Sequence, residues 1–267
     1  MNKIRYRYSS LEDFLISNPL TVDAQLDDGE GALFPVKGRE IEATILFADV
    51  TAFSERTLEL PAAGTLIFVN RFFTGITVDA LRECPGIIDK YIGDEIMVIF
   101  SKEFGSDDPF VDAVQTARLI GDGDTWSFCP HIGIASGVVI VGFVGTPLKY
   151  SCSVFGSAVA LAKRCAGIEP KVDSSASIIF PANLWADRSF EEIFPPRRIK
   201  KPDGSMYEQP HSWEIGDPRK VQVKNLPEIE VIEIAKTSLW VSSVEEIVRE
   251  ELQALKRAGL YRPKCVE

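Results

Sequence analysis

The stretch Ile87-Ile88-Asp89-Lys90-Tyr91-Ile92-Gly93-Asp94-Glu95-Ile96-Met97-Val98-Ile99-Phe100 decides the fold. Two β-rich runs, Ile87–Ile92 and Glu95–Phe100, meet at Gly93-Asp94, and a glycine at the first central position of a two-residue loop suits a type II′ hairpin. Upstream, Ile41–Ala48 is an apolar run bounded by polar residues, which predicts a buried strand. Between them Pro61–Glu83 carries apolar residues at Leu66, Val69, Phe73, Ile76 and Leu81, the spacing of a helix. Downstream, Asp112–Ile120 predicts a helix. His131–Ser136 and Val138–Val144 predict a second hairpin about Gly137, and Phe155–Cys165 a further helix following the turn at Gly156. Later strands are predicted at Ser177–Phe180, Arg198–Lys200 and His211–Ile215. The order β-α-β-β-α-β-β-α defines an α+β protein, with a mixed sheet and helices on one face.

This pattern occupies residues 41–216. Residues 1–40 read as an N-terminal arm, with an acidic, glycine-containing run at Asp27–Gly31. Residues 217–267 read as an appendage opening at Asp217-Pro218. Its helix, Val244 to Leu260, carries an apolar stripe at Val244, Ile247, Val248, Leu252 and Leu255. The chain has 267 residues and a formal charge of −10. That balance argues against coating nucleic acid or docking on an anionic membrane, both of which need clustered positive charge. The N-terminus lacks an apolar signal core and no apolar run is long enough for a membrane span, so a cytoplasmic location is expected. The five cysteines are scattered without a CxxC pair and there are two histidines. Free thiols are therefore expected, with no structural zinc site.

Two carboxylates stand where the predicted sheet releases its chain: Asp49 directly after the Ile41–Ala48 strand, and Asp94 at the hairpin tip. Taken singly, Asp49 reads equally as a helix N-cap and Asp94 as a turn residue. Taken together, they can point into one concavity, where two acids repel unless a divalent cation joins them. Aspartate oxygens are hard donors that suit Mg²⁺ or Mn²⁺. Val50-Thr51-Ala52-Phe53-Ser54 then offers successive backbone N–H groups near a helix start, a turn able to hold phosphate.

Four segments now carry a resemblance: Phe47–Ser54 (FADVTAFS), Asp89–Met97 (DKYIGDEIM), Ile132–Gly137 (IGIASG), and Val154-Phe155-Gly156 followed by Arg164. In this order and spacing they resemble the class III nucleotidyl cyclase homology domain over residues 41–216. The wording of Ile88–Phe110 and of Gly145–Gly156 is further similar to the bacterial pyrimidine cyclases of antiphage defence. The resemblance implies a ferredoxin-like mixed sheet with helices, and a nucleoside triphosphate whose 3′-hydroxyl attacks the α-phosphorus to give a 3′,5′-cyclic nucleotide and pyrophosphate. It implies two Mn²⁺ or Mg²⁺ ions per active site, held by Asp49, Asp94 and the backbone of Val50. It implies that Arg164 stabilises charge on the reacting phosphate, that Lys90 and Ser153 read the base, and that Phe53, Val50 and Ala52 line the substrate. Lys90 lies four residues before Asp94, roughly 13 Å along a strand. The family resolves that separation by a head-to-tail homodimer with its sites at the interface. The messenger would act on a separate effector.

Three positions depart from the family. Ser153 stands where adenylyl cyclases carry Asp or Thr, and does not dictate adenine. Ala160 stands where an asparagine orients the ribose. His131 stands where an arginine often meets the terminal phosphates, and reads either as a phosphate contact or as a buried strand residue. A replacing cation could come from Lys200 or Lys201. Lys90 could equally be a solvated edge lysine, and Arg164 a surface arginine. The resemblance implies UTP as substrate, then CTP, then ATP. A decayed cyclase domain serving as a dimerisation or sensing module is the non-enzymatic alternative.

Overall fold

The computed structural model describes residues 7–27, 29–31, 33–75, 81, 84–146, 149–200, 204–209, 211–224, 227–237 and 243–262. In chain order the elements are α1 (Leu11–Ser17), β1 (Val22–Asp27), β2 (Leu33–Val50), α2 (Phe53–Thr57), α3 (Ala62–Gly75), β3 (Ile87–Ile92), β4 (Glu95–Phe100), α4 (Pro109–Gly123), β5 (Pro130–Thr146), β6 (Lys149–Phe155), α5 (Ser157–Ala166), β7 (Ala176–Pro181), α6 (Phe190–Ile193), β8 (Arg197–Lys200), β9 (Met206–Gln209), β10 (Trp213–Ile215), β11 (Arg219–Val221), β12 (Ile229–Lys236) and α7 (Val244–Arg257).

Among the described residues ten strands form one mixed sheet, with the central order β10-β12-β7-β5-β2-β4-β3. Within it, β5-β2-β4-β3 is the antiparallel ferredoxin-like core, and β7 runs parallel to β5. The predicted β3–β4 hairpin is present. Gly93 has φ +66° and Asp94 is not in the left-handed region, the type II′ pattern. Helix α4 starts where Asp108 accepts from the Phe110 and Val111 N–H groups and Pro109 opens the first turn. No described helix is long and apolar enough to cross a membrane.

Two expectations are corrected. There is no hairpin about Gly137: β5 is one strand of 17 residues, paired to β2 without interruption from Lys37↔Phe143 to Val50↔Pro130. Gly137 sits inside it, where a Cβ would meet the Ala158 methyl of α5 at an ordinary contact distance of 3.4 Å. Helices also cover both faces, not one. Leu46, Ala48 and Val50 of β2 face a core with α3, α4 and α7, while Ile41, Ala43, Ile45 and Phe47 face a second core with α1 and α5. The unbroken apolar run in β2 is what burial on both faces requires.

Strand β2 begins at Leu33 and pairs with β1 across the Asp27–Gly31 run, where Asp27 accepts the Gly29 N–H at 2.7 Å. At the other end of the chain, β12 pairs with β7 inside the sheet. Helix α7 buries Val244, Val248 and Leu252, and ties to α2 through Arg56–Glu245 at 2.5 Å and to α3 through Arg71–Glu251.

Candidate active site

The sheet delivers two carboxylates to one place. Asp49 is the penultimate residue of β2. Because Ala48 pairs with Ile96 on β4, Asp49 lies beside the β3–β4 turn that carries Asp94. Asp94 is close enough to help hold the proton of Asp49. The Asp49 carboxyl is pushed up to about 7. Burial is the largest cause, followed by Asp94 and the charge of Glu95, while Lys163 opposes them. Lys163, from α5, places its ammonium 3.8 Å from Asp49 Oδ2 and forms an ion pair with Glu95.

The chain leaves β2 through a strained turn. Ala52 sits in the left-handed region at φ +53°, and the Thr51 hydroxyl donates to the Cys129 carbonyl. Val50 has its side chain in the main core, so its backbone is what it can offer a ligand. Phe53 is half-buried, its ring 5.8 Å from that of Phe68.

A second cluster gathers Lys90 and Ser153, which belong to β3 and β6. The Lys90 ammonium donates to Ser153 Oγ, and Ser153 Oγ donates to Asp89 Oδ2 at 3.0 Å. Lys90 Nζ is also 3.0 Å from Asp89 Oδ2. Burial pushes the Asp89 carboxyl up, and Lys90 and Ser153 pull it back. The polar partners of this cluster are distinct from those of Asp49.

Helix α5 lies close on β5, since a Cβ on Gly133 would stand 2.1 Å from the Ala162 carbonyl oxygen and the Ala166 nitrogen. Ala158, Ala162 and Ala166 form its buried face. Ala160 is exposed, and Arg164 is half-buried one turn further on, with no side-chain ion pair among the described residues. His131 pairs in register with Asp49, but it is partly buried, and its neighbouring charges are Glu169 and Glu233. Burial pushes its imidazole pKa down. These surroundings favour the strand-residue reading over a phosphate contact. Lys200 is exposed at the end of β8, in a separate two-stranded sheet with β9, and Lys201 lies outside the described residues.

Asp89, Glu95 and Lys163 were not singled out from the sequence. Asp89 and Glu95 adjoin motif residues. Lys163 adjoins Arg164, and helix neighbours diverge by about 100°, so spacing alone could not tell which of the two faces the carboxylates.

Among the described residues no cluster of three or more His, Cys, Asp or Glu side chains is arranged to hold a metal ion. Magnesium commonly takes one or two carboxylates and completes its shell with water and substrate phosphates. Asp49 and Asp94, neighbouring hard-oxygen donors, fit that requirement once Asp49 has released its proton.

No family model matches the chain. Over 130 residues it is 31% identical to an uncharacterized protein of Mycobacterium tuberculosis, covering 48% of this chain and 23% of that one. Over 212 residues it is 26% identical to an adenylate cyclase of Anabaena cylindrica, covering 75% of this chain and 41% of that one. The chain thus spans well under half the length of these curated relatives. Its fold matches the adenylyl cyclase CyaB of P. aeruginosa with a TM-score of 0.56 at 17% identity, covering 77% of this chain and 99% of that one. It matches the guanylyl cyclase Cya2 with a TM-score of 0.54 at 18% identity, covering 78% and 98%. The fold is that of the class III nucleotidyl cyclase homology domain.

Proposed function

We propose that this chain is a metal-dependent nucleotidyl cyclase. As a homodimer it converts UTP, and secondarily CTP, to the 3′,5′-cyclic nucleotide and pyrophosphate. The product serves as a messenger in antiphage defence, acting on a separate effector. The observation that carries the cyclase reading is the placement of Asp49 beside Asp94 on a class III cyclase fold. The choice of a pyrimidine rests on the wording of Ile88–Phe110 and Gly145–Gly156.

Bound Mn²⁺ or Mg²⁺, two per site, supplies acidification of the 3′-hydroxyl and neutralises the triphosphate. Asp49 and Asp94 provide the anchoring oxygens, and Asp49 must give up its proton to do so. Arg164, with no ion pair among the described residues, offers a planar fork to phosphate oxygens. In ring closure the 3′-oxygen bonds to the α-phosphorus, the bond from that phosphorus to the pyrophosphate oxygen breaks, and the 3′-proton leaves to solvent. The site is completed by a second copy, with Lys90 of one chain facing the carboxylates of the other; the different polar partners of the two groups within one chain support this.

The Anabaena relative favours a second reading, ATP to cyclic AMP. One assay separates the two: purified protein with Mn²⁺ and an equimolar mixture of the four nucleoside triphosphates, products resolved by chromatography. Cyclic UMP as the main product supports the proposal, and cyclic AMP alone supports the second reading. An Asp49→Ala variant that kept its biological output would make the domain a non-enzymatic module.

A further inference from the structure

We propose that Asp89 is a positioning residue that fixes which hydrogen-bonding edge of a base Lys90 and Ser153 can read. This inference rests on the cyclase reading above and deepens it.

Adjacent residues of a regular strand point to opposite faces. Asp89 and Lys90 are adjacent, yet both reach Ser153 Oγ. The strand pairing shows how: Ile88 pairs with Val98 and Lys90 with Met97, so Asp89 is the extra, unpaired residue of a β-bulge. A bulge re-aims side chains. Here it turns the Asp89 carboxylate, 1% exposed, beneath the Lys90 ammonium. Behind it, Glu12 of α1 accepts the N–H of Cys152 at 3.3 Å, which anchors the strand that carries Ser153.

Counting protons then fixes the polarity. Asp89, paired with an ammonium, only accepts. Ser153 has one hydroxyl proton and donates it to Asp89, so toward a ligand Ser153 can act only as an acceptor. Lys90 has three N–H bonds, of which Ser153 and Asp89 take two, so one donor remains. The cluster therefore holds one donor beside one acceptor in a fixed order, with the Lys90 side chain 40% exposed and Ser153, at 2%, reachable only by a group seated against Lys90. Uracil and guanine offer an exocyclic acceptor beside a ring N–H, whereas cytosine and adenine offer an exocyclic donor beside a ring acceptor. A fixed order distinguishes these two classes, and a free serine hydroxyl, able to turn either way, would not. For uracil, Lys90 donates to O4 and Ser153 accepts from N3–H.

The test is calorimetric binding of the four 3′-deoxynucleoside triphosphates, which cannot close a ring, to the full chain with Mg²⁺. Wild type, Asp89→Asn and Ser153→Ala are compared, with thermal melts to establish folding. Wild type is expected to prefer the uracil analogue. Both variants are expected to lose about tenfold of that preference, with little change for the weakest base. Equal weakening of all four analogues, or an unchanged order of preference in both folded variants, overturns the role of Asp89. If wild type cyclises UTP while the order stays fixed, only this inference fails. If wild type binds none of the four, the nucleotide reading fails with it. Should Asp89→Asn not fold, Asp89→Ala takes its place with the same expectation, because it too frees the Ser153 hydroxyl to turn.

Discussion

Lys163 from α5 stands 3.8 Å from Asp49 Oδ2 at the end of β2, where the neighbouring Asp94 of the β3–β4 turn helps raise the Asp49 carboxyl. One carboxyl pair thus draws together three elements distant in sequence.

The pair makes metal-free stability depend on pH. Folding raises Asp49 from 3.8 to about 7, so across that window the native state holds a proton that the unfolded chain has released. Stability therefore falls as pH rises from about 4 to about 7 and levels off above. Asp49→Asn removes this contribution. Calorimetric melts in EDTA should show the variant gaining on wild type across that window, and Mn²⁺ at pH 8 should restore wild type but not the variant. Parallel curves would refute the assignment.

Lys163 holds a positive charge against the oxygens proposed to anchor the metal. An ammonium at this range opposes a divalent cation. Lys163→Met should tighten Mn²⁺ binding by about tenfold, read from free Mn²⁺ by electron paramagnetic resonance. Weaker binding would mean that Lys163 supports the site instead.

Gly133 lets α5 approach β5 and so sets where Lys163 and Arg164 stand. Both atoms nearest to an added Cβ are α5 backbone, which cannot swing aside. Gly133→Ala should cost about 3 kcal/mol in urea denaturation. A loss under about 0.5 kcal/mol, the ordinary surface range, would show that the helix is not seated there.

The proposed two-chain site predicts complementation. Asp49→Asn and Lys90→Ala, each inactive alone, should recover roughly a quarter of wild-type activity when mixed, because half of randomly paired two-fold dimers regain one intact site. No recovery from folded, dimeric mixtures would place both groups in a single-chain site.

Where signals are local, the fold could be read from the sequence. Gly93-Asp94 announced the hairpin, and Asp49 and Asp94 could be recognised as strand-end acids. Gly137 misled because a glycine inside a strand looks the same in sequence as a turn glycine. Asp27, the first residue of the acidic run, proved to close strand β1, which pairs antiparallel with the start of β2. The contact between Lys90, Asp89 and Ser153 could not be foreseen, because it depends on a bulge that shifts register by one residue. The choice between Lys163 and Arg164 as the cation beside the carboxylates needed the helix placed on the sheet.

The most direct measurement of the central claim is product analysis of UTP incubated with Mn²⁺ and wild-type, Asp49→Asn or Asp94→Asn protein. Wild type should release 3′,5′-cyclic UMP and pyrophosphate in equal amounts, and neither variant should form the ring. Undiminished cyclic product from the Asp49 variant, or no cyclic product from wild type with any of the four nucleoside triphosphates, would contradict it.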